Sequence, residues 1–227
     1  MSSKTINISA NDKTLFSDYF ELNGWFVFGF ISVAWLLAAY AQQEWVLTEE
    51  VYFNSLGSQM AYERIADYLS FLDRIRWVSY LALPIMLLIQ VALVAFTLNV
   101  GALVADHPIT YAKLFGIALR AAAVFAIAFL VRVGILLVIG IEHTDDVIKL
   151  DYLSLLSWVQ HLVPQWLWYP IGLFNVFELC FVLALASGLK QVLSFPYPKA
   201  LWFTVCSYGT GLLVWAMLIV FLNITLS

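Results

Sequence analysis

Glu178 is the residue in this chain best placed to do chemistry. It lies in an apolar stretch from about Trp166 to Ala186 that holds no other charge. A charged side chain at the centre of a membrane helix costs roughly 3 kcal/mol even on lenient scales, so such groups are paired, protonated or functional. Asn175 stands one helical turn earlier, so Asn175 and Glu178 share one polar patch. An earlier apolar run holds Arg120 and Arg132, whose spacing puts them about 120° apart around a helix, not on one stripe. Arg120 lies near the end of its run and reaches an interface by snorkelling. Arg132 lies deeper, and Glu178 is its natural counter-charge. Gln90 and Asn99, in the run before, extend the same set, because polar groups in lipid must face protein or water. Two chemistries fit an intramembrane network of Arg132, Glu178, Asn175, Arg120, Gln90 and Asn99. One is a proton or substrate path through Arg132 and Glu178. The other, and the simpler, is an ion pair that fixes helix register.

A second group, Glu142, His143, Asp145 and Asp146, has side chains able to bind metal. It lacks the paired histidines of H-E-x-x-H, and it reads as a solvated acidic loop with no metal. His107 and His161 are expected on opposite sides of the membrane. No nucleophile elbow, Walker loop or dinucleotide fingerprint occurs. These residues therefore predict neither an enzyme nor a bound cofactor. Cys180 and Cys206 sit in apolar runs without metal spacing and read as small buried hydrophobes.

The elements that position these residues follow from composition. Of the 227 residues, 63% are hydrophobic and 11% charged, and the mean hydropathy is +0.90. Soluble domains carry about 25% charged residues. An apolar excess of this size predicts an all-α integral membrane protein. The net charge of −4 offers no basic footprint for nucleic acid. Five spans are expected at about 24–42, 77–104, 114–140, 166–187 and 199–223, forming one polytopic domain over residues 1–227. Trp25, Trp45, Trp77, Trp166, Trp168 and Trp202 flank the runs as interfacial anchors. Pro84 is a candidate kink in the second span. Pro170 falls in the first turn of the fourth, where a missing N–H costs little.

Both long connections predict amphipathic interfacial helices. In 43–76, Ala61, Ile65, Leu69, Leu72 and Ile75 form an apolar stripe, and a helix starting near Ser58 is expected to run into the second span. In 141–165, Leu150, Leu153, Leu156, Trp158 and Leu162 predict an interfacial helix ended by Pro164. Ala118, Ala122 and Ala126, and Ser207 with Gly211, recur at four-residue steps and predict close helix packing. Lys4, Lys13, Lys113, Lys190 and Lys199 favour a cytoplasmic N-terminus and an outer C-terminus, in a bacterial inner membrane. Besides the bilayer, the expected partners are proteins of a larger membrane or envelope complex, in which the chain is a non-catalytic subunit or scaffold. A small transporter or proton-coupled channel using Arg132 and Glu178 is the alternative.

The stretch NVFELCFVLALASGLKQVLSFPYPKALWFTVCSYGTGLLVW, the five spans and the short outer C-terminus together resemble the Yip family of multi-spanning membrane proteins. The resemblance covers about residues 77–223 and lies in the pattern of hydrophobicity, Gly and Pro. It implies a non-enzymatic membrane protein, a class that acts in eukaryotic vesicle traffic with small GTPases. The long acidic loops depart from the family pattern.

Overall fold

The computed structural model describes residues 22–57, 60–144, 146–149 and 154–226. Among them the chain is helical, with no β-strand. Five stretches are long and apolar enough to cross a membrane: Gly24–Val46, Tyr62–Val104, Tyr111–Ile139, Val176–Leu193 and Tyr197–Thr225.

Helix α1, Gly24–Ala41, starts at Asn23, whose side chain accepts the Trp25 N–H. Its end widens into a π turn, Gln42–Val46. Helix α2, Glu49–Leu56, follows Thr48. Helix α3, Tyr62–Val104, is continuous over 43 residues and holds Pro84 inside it. At 1.5 Å per residue it is about 65 Å long, twice the roughly 30 Å hydrocarbon thickness of a bilayer. The apolar stripe read from the sequence lies on this same continuous helix, which runs into the second apolar stretch as the sequence predicts. Ser58 and Gln59, where that helix was expected to begin, lie outside the described residues. Helix α3 ends in a hydrogen-bonded cap. Asp106 turns left-handed (φ 52°), and the His107 N–H closes onto the Ala102 carbonyl at 2.9 Å.

The third apolar stretch divides at Ala122 into α4, Tyr111–Ala121, and α5, Ala123–Ile139. Helices α6, Val176–Leu193, and α7, Tyr197–Leu226, are joined by a short turn with Ser194 left-handed. At one end of the molecule the short links meet, where His107 sets its ring edge on Phe195 at 4.9 Å. At the other end the long links meet, where the Thr144 N–H donates to Ser55 Oγ at 2.8 Å. These are called the short-link and long-link ends below.

Two expectations change. Helix α6 begins at Val176, ten residues after the expected start at Trp166. Before it come only one turn at Gln165–Leu167 and a short helix, Trp168–Gly172, that holds Pro170. Pro170 has no N–H to continue a helix, Gly172 disfavours one, and Asn175 then caps a new start. The single interfacial helix expected over 141–165 is also replaced by brief turns at Asp146–Lys149, Leu156–Val159 and Gln160–Leu162. Leu150 and Leu153, needed for its stripe, lie outside the described residues.

One core joins all the apolar helices through Ile31, Leu98, Ala118, Leu185 and Ala200, each fully buried. Helix α7 packs on α6 and α3, α4 packs on α3 and α6, and α1 lies along α5. A smaller cluster of Ala38, Val46, Val133 and Leu136 closes α1 onto α5 near the long-link end.

Candidate functional site

Glu178 occupies the third position of α6. Asn175, in extended conformation, accepts the Glu178 N–H on its side-chain oxygen at 2.8 Å. This satisfies one of the donors that every helix start leaves open. A carboxylate in a first turn also faces the positive end of the helix dipole. Asn175 and Glu178 therefore form a helix cap, which an N-x-x-E spacing favours in the manner of a capping box.

The Glu178 side chain then turns to α7, where Tyr208 donates its hydroxyl to Glu178 Oε1 at 2.5 Å. Tyr208 is held by packing: its ring meets Phe181 edge-on at 5.3 Å, and Phe181 meets Phe125 at 4.6 Å. The result is a tie between α6 and α7 inside an aromatic shelf supplied by α5, α6 and α7.

Arg132 does not join this tie. It leaves α5 seven residues before the helix ends and donates Nη2–H to the Val147 carbonyl at 2.8 Å. Its long side chain satisfies the charge at the long-link end, as snorkelling cations do. The expected Arg132–Glu178 ion pair is replaced by two separate bonds. Arg120 bonds the Gly116 carbonyl at 2.9 Å and the Leu22 carbonyl, so it anchors the chain just before α1. Gln90 and Asn99 are half-buried on α3 and make no hydrogen bond to Glu178.

Among the described residues no three His, Cys, Asp or Glu side chains gather to hold a metal. Asp146 accepts the His143 N–H at 3.0 Å, and its carboxylate lies 3.9 Å from His143 Nδ1. Glu142 is exposed, and Asp145 lies outside the described residues. Cys180 and Cys206 are free thiols on exposed faces, not in the core as their apolar setting indicated.

The small residues lie where helices approach. Ala118, Ala122 and Ala126 are buried in the core. A Cβ built on Gly211 would stand 2.3 Å from Thr97 Cγ2, and one on Gly101 would stand 2.3 Å from Ser207 Cβ. Helices α3 and α7 thus meet closely, the backbone of Gly211 against the Thr97 side chain and the backbone of Gly101 against the Ser207 side chain. Sequence reading missed Gly101, Thr97 and Tyr208. A tyrosine in mid-run was the available signal for Tyr208, because a buried phenol seeks an acceptor.

In comparisons with protein-family models, curated proteins and solved structures, nothing matches the chain.

Proposed function

We propose that this chain is a non-catalytic integral membrane protein that serves as a subunit or scaffold of a larger membrane complex. In this reading the membrane is a bacterial inner membrane, the short-link end is cytoplasmic and the C-terminus lies outside. The likeness to the Yip family agrees with the non-enzymatic class.

The observation that carries the reading is the placement of residues 154–175 beside α7. Tyr169 accepts a hydrogen bond from Trp215 Nε1 at 2.8 Å. Trp215 is four residues, about 6 Å, from Gly211, the middle of Tyr197–Thr225. Half the hydrocarbon thickness is about 15 Å. A span centred in the bilayer therefore carries this irregular segment at membrane depth. Backbone that is neither helix nor closed sheet persists there only against protein or water.

The segment meets several of its own needs. Leu155 N–H bonds the Phe174 carbonyl, Leu173 N–H bonds Tyr169, and Trp168 Nε1–H bonds Val163. Its outer side nevertheless shows Trp158, Leu162 and Phe174, which are 76%, 72% and 60% exposed. Apolar side chains over broken backbone favour protein cover over a water-filled cavity. The transporter alternative needs Arg132 and Glu178 in one path, and Arg132 instead bonds Val147.

Photo-crosslinking in native membranes tests this. A benzophenone side chain at Phe174 is expected to give one discrete protein adduct, whereas one at exposed Phe26 gives lipid adducts. Lipid adducts alone at both positions would overturn the reading.

A further inference from the structure

Arg132 carries a charge that the proposed function does not use. It stands exposed on α5, seven residues before the helix ends at Ile139. Val131, Val138 and Ile139, in the same final turns of α5, are also exposed, so lipid reaches this end of the helix. A guanidinium has several N–H donors and no acceptor. Among the described residues, Arg132 makes one hydrogen bond, from Nη2 to the Val147 carbonyl, and no carboxylate lies within ion-pair reach of it. Asp146 adjoins Val147 in the chain, but its carboxylate accepts the His143 N–H at 3.0 Å. A neutral carbonyl takes one donor and leaves the charge without a counter-ion.

Two placements put this charge at the membrane surface. Tyr111–Ile139 has 29 residues, about 44 Å at 1.5 Å per residue. Centred in roughly 30 Å of hydrocarbon, it overhangs by about 7 Å at each end. The Arg132 Cα is about 11 Å from the Ile139 end, so it lies about 4 Å inside the boundary. A long cationic side chain reaches the headgroups from that depth. The π turn after α1 gives the same level independently. Val46 and Val133 share one buried cluster, so the residue next to Arg132 is level with that turn. The turn carries exposed Trp45, of the type that forms interfacial belts, and Glu44, which pairs with Arg76.

We propose that Arg132 binds the phosphodiester of a phospholipid at the exposed end of α5. A guanidinium is a planar fork that matches paired phosphate oxygens with two parallel N–H···O bonds. The Val147 carbonyl restrains one arm of that fork before a lipid arrives. Phosphate is the anion that a lipid-covered surface meets at headgroup level. The inference needs the apolar helices to sit in a bilayer and needs no protein partner.

The test is native mass spectrometry of the full chain in maltoside micelles doped with dioleoylphosphatidylglycerol or, at equal dose, dioleoylglycerol. Saturable retention of the phospholipid and not of the diacylglycerol is expected. Arg132→Gln should weaken retention about tenfold, the scale of one charged contact. Arg132→Lys keeps the charge without the fork and should weaken it by less. Arg74→Gln, which removes another exposed cation from the long-link end, should leave it unchanged. Thermal midpoints without added lipid show which variants fold, and the lysine variant decides if the glutamine variant does not. Equal retention of diacylglycerol, wild-type retention in the deciding variant, or an equal loss in Arg74→Gln would overturn the proposal. Millimolar inorganic phosphate should not displace the lipid. Full displacement would assign Arg132 to a soluble anion and overturn the lipid assignment.

Discussion

Helix α7 changes neighbours along its length. From Ala200 to Gly211 it is gripped by other helices: Ala200 and Thr204 are fully buried, and Ser207 and Gly211 bring its backbone against α3. Beyond Gly211 it leans on turns at Gln165–Leu167 and Trp168–Gly172. The first half is a finished interface, because small residues let two regular helices pack closely. The second half rests on a segment that cannot extend α6 upward. Tyr208 and Glu178 lie at the boundary, where α6 starts and the tie to α7 is made.

Breaking the finished half should have the largest effect. Gly211→Leu must part α3 from α7 to clear Thr97, and overpacking of this kind costs about 1–3 kcal/mol or more. A lower thermal midpoint and loss of a monodisperse peak in detergent are expected. Gly134→Leu, at a glycine with open space around it, should leave both unchanged.

The boundary comes next. Glu178→Gln and Tyr208→Phe should each destabilise the fold, and together they should show a coupling of about 1 kcal/mol or more in a double-mutant cycle. Glu178→Gln with Arg132→Gln should add within about 0.5 kcal/mol, because the two residues bond different partners. Strong coupling between Glu178 and Arg132 would instead restore the path reading. Asn175→Ala removes the cap of α6 and should cost about 1 kcal/mol, visible as faster hydrogen exchange in its first turn.

The smallest effect belongs to the short-link end. Asp106 and Ser194 hold left-handed backbone, so replacing either with Gly should stabilise by about 0.5 kcal/mol, since glycine adopts that region without a Cβ penalty. Chemical unfolding of the two variants measures the gain.

The same division governs what could be read in the sequence. Five apolar runs are a one-dimensional signal, and the helices of the finished half follow them closely. The region before α6 is different. The run WLWYPIGLF has the composition of a membrane helix, and Pro170 is tolerated in a first turn. Only the combination of Pro170, Gly172 and the capping Asn175 marks the break. The site was half legible. The cost of a buried carboxylate singles out Glu178 and the need for a partner, and charge alone then points to Arg132. The actual partner, Tyr208, is neutral and thirty residues away on the next helix. Its choice depends on how α6 and α7 align, which residue spacing does not encode. The reach of Arg132 to a backbone carbonyl likewise depends on where the 140–149 loop folds back.

Native mass spectrometry of the gently extracted protein tests the central claim most directly, that the second half of α7 and the segment beside it are covered by a partner. The account predicts a discrete complex of fixed stoichiometry containing a second protein, which dissociates when Phe174→Arg is introduced while the Gly134→Leu control retains it. A wild-type chain that appears alone, with lipid as its sole companion, would contradict it.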